Sequence, residues 1–134
     1  YTMNQHITII NIRKGDARNI NEELQWLGNS LGLFNLRDRD SSCFRVFITL
    51  VKSARQNKPV SGDEIAERLQ LSRSSVLHHL ARLMESGIVV KERRGGYILR
   101  ERTMETLLKD IHQDLEAMFT RLQEVAKEID EMMG

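Results

Sequence analysis

The sequence predicts a mainly α (α+β) fold, and three observations carry that prediction. Stretches with apolar residues every three or four positions follow one another from residue 16 to residue 86. Two β-prone runs then flank Gly95-Gly96, and the remainder is one unbroken heptad stripe. With 134 residues, 40% hydrophobic and 29% charged, the chain falls in the globular class and suffices for one domain with an appended helix or arm. No stretch approaches the ~20 apolar residues of a membrane span, and the first dozen residues lack the apolar core of a leader. A cytoplasmic protein without membrane contact is expected. Cys43 is the single cysteine, which excludes an internal disulfide framework and a zinc site built on several thiolates.

Taken in order, the β-branched run His6–Ile12 predicts a short strand or an extended arm, ended by Lys14-Gly15-Asp16. Asp16 is positioned to cap a helix whose face is Ile20, Leu24, Leu27 and Leu31. The stretch Asn35–Asp40 reads as a polar connector. Ser41 or Ser42 opens a second helix with Phe44, Phe47, Ile48, Val51 and Ala54 on its buried face, ended by Lys58-Pro59. Ser61-Gly62-Asp63-Glu64 forms a capping box for a short helix that buries Ile65 and Leu69 and ends near Gln70-Leu71. Ser72 caps the next helix, which turns Val76, Leu80 and Leu83 inward and stops at Gly87, a favourable residue just past a helix end. The runs 88–94 and 97–100 then form a hairpin, with Gly95-Gly96 expected as a tight turn that needs positive φ at both residues.

Met104, Leu108, Ile111, Leu115, Met118, Leu122, Val125, Ile129 and Met132 alternate steps of four and three, with Leu107, Phe119 and Ala126 widening the stripe. A helix of ~30 residues is ~45 Å long, more than a core of this size can cover, so a second copy of the chain is the expected partner. The division is therefore 1–40, an arm and helix forming part of a dimer interface; 41–102, a compact domain; and 103–134, a coiled-coil dimerisation helix. The residues expected at the interface are Leu24 and Leu27 with Met104, Leu108, Ile111, Leu115, Met118, Leu122, Val125 and Ile129.

The net charge of +1 conceals an asymmetry. Residues 1–71 carry 10 basic and 8 acidic side chains, residues 72–100 carry 6 and 2, and residues 101–134 carry 4 and 9. Positive potential is thus concentrated in one 29-residue block, a distribution suited to nucleic acid.

Leu69, Ser72, Ser75-Val76, His79-Leu80, Leu83 and Gly87-Ile88-Val89 resemble the helix-turn-helix of winged-helix transcription regulators of the ArsR and MarR kind. The resemblance covers about residues 42–100, with the hairpin as the wing. It implies a winged helix-turn-helix that binds double-stranded DNA as a homodimer, with helix 73–86 in the major groove and the wing 88–100 on the backbone or minor groove. The N-terminal part of such a helix reaches base edges. Arg73, Ser74, Ser75, Leu77, His78 and Arg82 are accordingly the candidate contacts, with Arg93 and Arg94 on the wing. Arginine suits guanine or phosphate, hydroxyls suit phosphate, and Leu77 suits a thymine methyl. His79 reads as a half-buried structural residue.

No cofactor is expected. The family's thiolate metal site needs two nearby cysteines, and its final-helix site needs a second histidine after Asp110-Ile111-His112, where this chain has Gln123 and Ala126. Catalysis is not expected either, because the serines beside His78 and His79 are a cap and a solvent face rather than a buried nucleophile with an oriented base. The functional expectation is a sequence-specific transcription regulator. The alternative is a protein-interaction module without DNA binding, which has no need of the basic block. A third reading is a repressor answering to a small-molecule effector in an apolar pocket lined by Trp26, Phe34 or Phe119.

Overall fold

The computed structural model describes residues 4–16, 18–34 and 41–134; the predicted connector at 35–40 lies outside the described residues. Among the described residues, five helices and one hairpin follow in the order α1 (Ile20–Ser30), α2 (Ser42–Arg55), α3 (Gly62–Leu69), α4 (Arg73–Glu85), β1 (Val89–Lys91), β2 (Tyr97–Leu99) and α5 (Met104–Met133). Mainly helical, with a two-stranded antiparallel sheet after the third and fourth helices, the architecture is the expected winged helix-turn-helix with an extra N-terminal helix and a long C-terminal one.

The arm 4–16 is extended but forms no strand. Its amides bond helix ends instead of a sheet edge: His6 N–H donates to Glu85 O at 2.8 Å and Ile10 N–H to Ser30 O at 2.8 Å. Asp16 does not cap α1; Asn19 does, its side chain accepting from Glu22 N–H at 2.9 Å. An N-cap must stand next to the first helical residue to reach the amides of the first turn, and Asp16 precedes that point by three residues.

In α2 the buried face is Cys43, Val46, Phe47, Leu50 and Ala54, rotated from the predicted one. Phe44, Ile48 and Val51 are only partly buried, packed against the edge of the core. An apolar helix flanked on two sides carries a stripe wider than one face, and its periodicity does not say which edge is deepest. The helix ends before Lys58-Pro59. Asn57 takes positive φ (52°), while its amide bonds Ala54 O and that of Lys58 bonds Ser53 O, a Schellman termination.

The core joins Val46, Phe47 and Leu50 of α2 to Ile65 of α3 and to Val76, Leu80 and Leu83 of α4. Ile88, Val89, Tyr97 and Leu99 of the hairpin and Leu107 and Ile111 of α5 complete it. Val60 pairs with Tyr97 in both directions (2.9 and 2.7 Å), adding a one-residue third strand that anchors the wing to the α2–α3 connection. Leu107, predicted at the edge of the heptad stripe, is among the most buried residues of α5, whereas every residue from Phe119 onward is exposed.

Candidate nucleic-acid interface

Three serine and glutamine positions set the helix-turn-helix geometry. Ser61 Oγ accepts from Glu64 N–H (3.1 Å) and Ser72 Oγ from Ser75 N–H (3.1 Å), so α3 and α4 each start on a satisfied amide. Glu64 does not complete the reciprocal half of the capping box; its carboxylate takes Arg68 at 3.1 Å. Between the helices Gln70 adopts φ 56°, and Leu71 N–H returns to Ala66 O at 3.0 Å, which reverses the chain within two residues. Arg45 of α2 donates to Leu69 O (2.6 Å), neutralising the carbonyl end of α3 and tying the turn to the core.

Val76, Leu80 and Leu83 are fully buried and recur at four and three residues, so α4 has no rotational freedom. Arg73, Ser74, Leu77 and His78 consequently stand on its outer face, and Leu77 is 38% exposed although apolar. Ser75 is half-buried, its Oγ 3.5 Å from His79 Nε2. His79 is half-buried too, with Nε2 2.8 Å from Ser42 Oγ of α2, so it joins two helices. Arg82 stands apart from the other candidates: it is half-buried, and Nη2 lies 3.4 Å from Gly32 O at the end of α1. Arg73 Nε lies 3.2 Å from Asp63 Oδ1 in the first turn of α3, both side chains well exposed.

The wing turn differs from expectation. β1 and β2 pair Val89 with Leu99, Val90 with Ile98 and Lys91 with Tyr97. Glu92 then closes the loop, donating to Gly96 O (2.7 Å) and accepting from Gly95 N–H (3.0 Å). The loop is therefore three residues, 93–95, and of the two glycines only Gly95 has positive φ (94°). Gly96 serves a different purpose: a Cβ there would stand 2.7 Å from Pro59 Cβ, so the wing can lie against the α2–α3 connection only with glycine at this position. Arg93 and Arg94 form the exposed tip itself rather than its flanks. Lys91 lies over the Tyr97 ring, 5.7 Å from its centroid.

At the far end of α4, Arg100 grips Asp114 of α5 through two bonds (2.6 and 3.2 Å) and stands 3.4 Å from Asp110. Gln5 of the arm donates to the same Asp114 oxygen (2.8 Å) and to Ser86 O (3.1 Å). The Arg100 hydrogen bonds hold the Asp114 carboxyl below the ordinary aspartate range, with the Gln5 bond adding to the effect. Sequence inspection did not find this junction, whose members are up to 109 positions apart. It likewise missed Asp63 beside Arg73 and Arg45 beneath the turn; each reads as an ordinary surface charge until the turn brings the helices together.

An apolar cavity of about 450 Å³ opens between α1, α2 and the start of α5, walled by Leu24, Trp26, Leu27, Ile48, Val51 and Met104. Lys52, Arg55 and the ion pair of Lys14 with Glu23 (2.6 Å) also line it. Of the three aromatic residues expected around a pocket, only Trp26 is there. Phe34 packs edge-on against Phe44 and Phe47 (5.3 and 5.8 Å between centroids), and Phe119 is exposed on α5. Leu24 and Ile111, expected at a dimer interface, lie in the protomer's own core. Met104, Leu108, Leu115 and Met118 are half-buried, while Leu122, Val125 and Ile129 are open to solvent. No helix among the described residues is long and apolar enough to cross a membrane.

No curated protein matches the chain. Residues 48–98, from the middle of α2 through Ile98 of β2, match the model of a family described as an HTH domain. The matched stretch holds the α3–turn–α4 unit and most of the wing, in keeping with the winged helix-turn-helix fold that the structure shows.

Proposed function

We propose that the protein is a sequence-specific transcription regulator that binds double-stranded DNA as a homodimer, α4 entering the major groove and the wing tip meeting the backbone or minor groove. The observation that carries the reading is the outer face of α4, where Arg73, Ser74, Leu77 and His78 are held outward by a fully buried opposite face. A solvated helix has no need to expose Leu77, but a thymine methyl in the groove would cover it. Arg93 and Arg94 at the tip of a short, anchored hairpin add two cations at a fixed distance from α4, and Ser75 and Arg82 act at its margins. The spacing of Leu69, Ser72, Ser75-Val76 and His79-Leu80 favours an ArsR- or MarR-like member of the winged-helix group.

Homodimerisation rests on α5. Leu122, Val125, Ile129 and Met132 recur at heptad spacing and are 49–85% exposed, an apolar stripe that a second copy would cover. The cavity beside Trp26 supports either a partner helix or a small-molecule effector in the same place.

The test is binding to random-sequence duplex DNA by fluorescence anisotropy at about 50 and about 200 mM salt, with the mass in solution measured alongside. A dimer of twice 15.6 kDa whose affinity falls steeply with salt supports the proposal. A protein indifferent to duplex DNA at low salt overturns it and favours the interaction module.

A further inference from the structure

Asp63 is an acid on the face offered to a polyanion. It lies in the first turn of α3, 3.2 Å from Arg73 Nε, and the two side chains are 74% and 72% exposed. Pairs this exposed contribute little to stability, and α3 already has Ser61 as its cap and Glu64 beside its N-terminus. Arg73 is the first residue of α4, where a cation opposes the helix dipole, so its place does not serve helix stability. What the contact does is restrain the guanidinium. Nε is the guanidinium atom at ion-pair distance from the carboxylate, and with the side chain 72% exposed the two Nη groups are open to solvent. Those groups are a parallel pair of donors, the arrangement that matches O6 and N7 of guanine.

We propose that Asp63 is a specificity residue. It positions Arg73 to read a guanine and penalises the alternative in which the same arginine merely binds phosphate. The two effects act in one direction, because specificity is the difference between the affinities for right and wrong sequences. Restraint at Nε lowers the conformational entropy lost when the fork meets a base. The carboxylate, meanwhile, repels the phosphate that the same guanidinium would meet on turning away from the base, so its cost falls on the mode that does not read sequence. The inference rests on the proposed reading of DNA by α4.

The experiment uses the full chain. Wild type, Arg73→Ala, Asp63→Ala and Asp63→Asn each select from a randomised duplex library, and each is then titrated on the wild-type-selected duplex and on a scrambled one. Asp63→Ala is expected to bind the scrambled duplex severalfold more tightly while losing about tenfold in preference at the base pair that Arg73→Ala also ceases to read. Asp63→Asn, which keeps an oxygen for Nε without the charge, is expected to retain most of that preference and still bind the scrambled duplex more tightly. Unchanged preference at that base pair in Asp63→Ala overturns the inference, as does loss of preference at every position together with a lowered melting temperature. If the wild type binds no duplex at low salt, the DNA reading has failed and this inference with it. A wild type that selects a motif which Asp63→Ala selects identically removes this inference alone.

Discussion

Among single residues, surroundings separate arginines that look alike in the sequence. Arg94 sits at the wing tip in solvent, whereas Arg82 is half-buried beside the carbonyl of Gly32. On the proposed reading, Arg94→Ala should reduce the slope of log affinity against log salt by about one phosphate contact, roughly 0.9 for duplex DNA. Arg82→Ala should change it less, since part of its hydrogen-bonding capacity is spent inside the protomer. Equal changes in the two anisotropy series would show that Arg82 swings out to the backbone. The sign at Asp114 is also determined. Its pKa is lowered in the folded chain by the Arg100 bonds, so the unfolded chain takes up the proton first as the solution is acidified. The junction therefore contributes stability above the ordinary aspartate pKa of about 3.9, and loses it as pH falls through the lower folded value. Asp114→Asn should cost about 1–3 kcal/mol at neutral pH, with the difference from wild type shrinking in acid denaturation curves.

At the level of elements, the wing is the most constrained. Gly95→Ala meets positive φ, and Gly96→Ala meets the Pro59 ring. Both should lower the melting temperature, the second because the wing must lift from the α2–α3 connection. The sequence marks both glycines, but their separate reasons are tertiary: one is a backbone conformation, the other a close approach by a residue 37 positions away. Helix α5 divides into two halves with different requirements. Leu107 is fully buried, so Leu107→Ala should cost about 2–5 kcal/mol in a urea titration. Leu122 is 68% exposed, so Leu122→Glu should leave the helical signal of the protomer intact and, if α5 forms the dimer, convert it to monomer by sedimentation. The heptad pattern does not distinguish these two halves. An apolar residue at the right spacing looks the same whether its partner is the same chain, a second chain or water.

Across the whole molecule, the junction of Gln5, Ser86, Arg100 and Asp114 joins the arm, the end of α4, the strand leaving the wing and α5. Through it α5 is tied by polar contacts to the end of α4 and to the residue that follows β2. These groups are separated by large sequence distances and carry no local signature, which is why no reading of the chain could assemble them.

The sequence by itself determined the order of the elements, the caps Ser61 and Ser72, the stop at Gly87, the buried triplet Val76, Leu80 and Leu83, and hence the outward face of α4. These follow from local rules: a cap acts within one turn, and helical periodicity selects a face. Only the tertiary structure decided which edge of α2 is deepest, that Arg82 turns inward, that Arg73 meets Asp63, and that Gly96 yields to Pro59. Each of those depends on where a second element lies, and contacts between distant segments are set by packing the whole core at once rather than by any window of the chain.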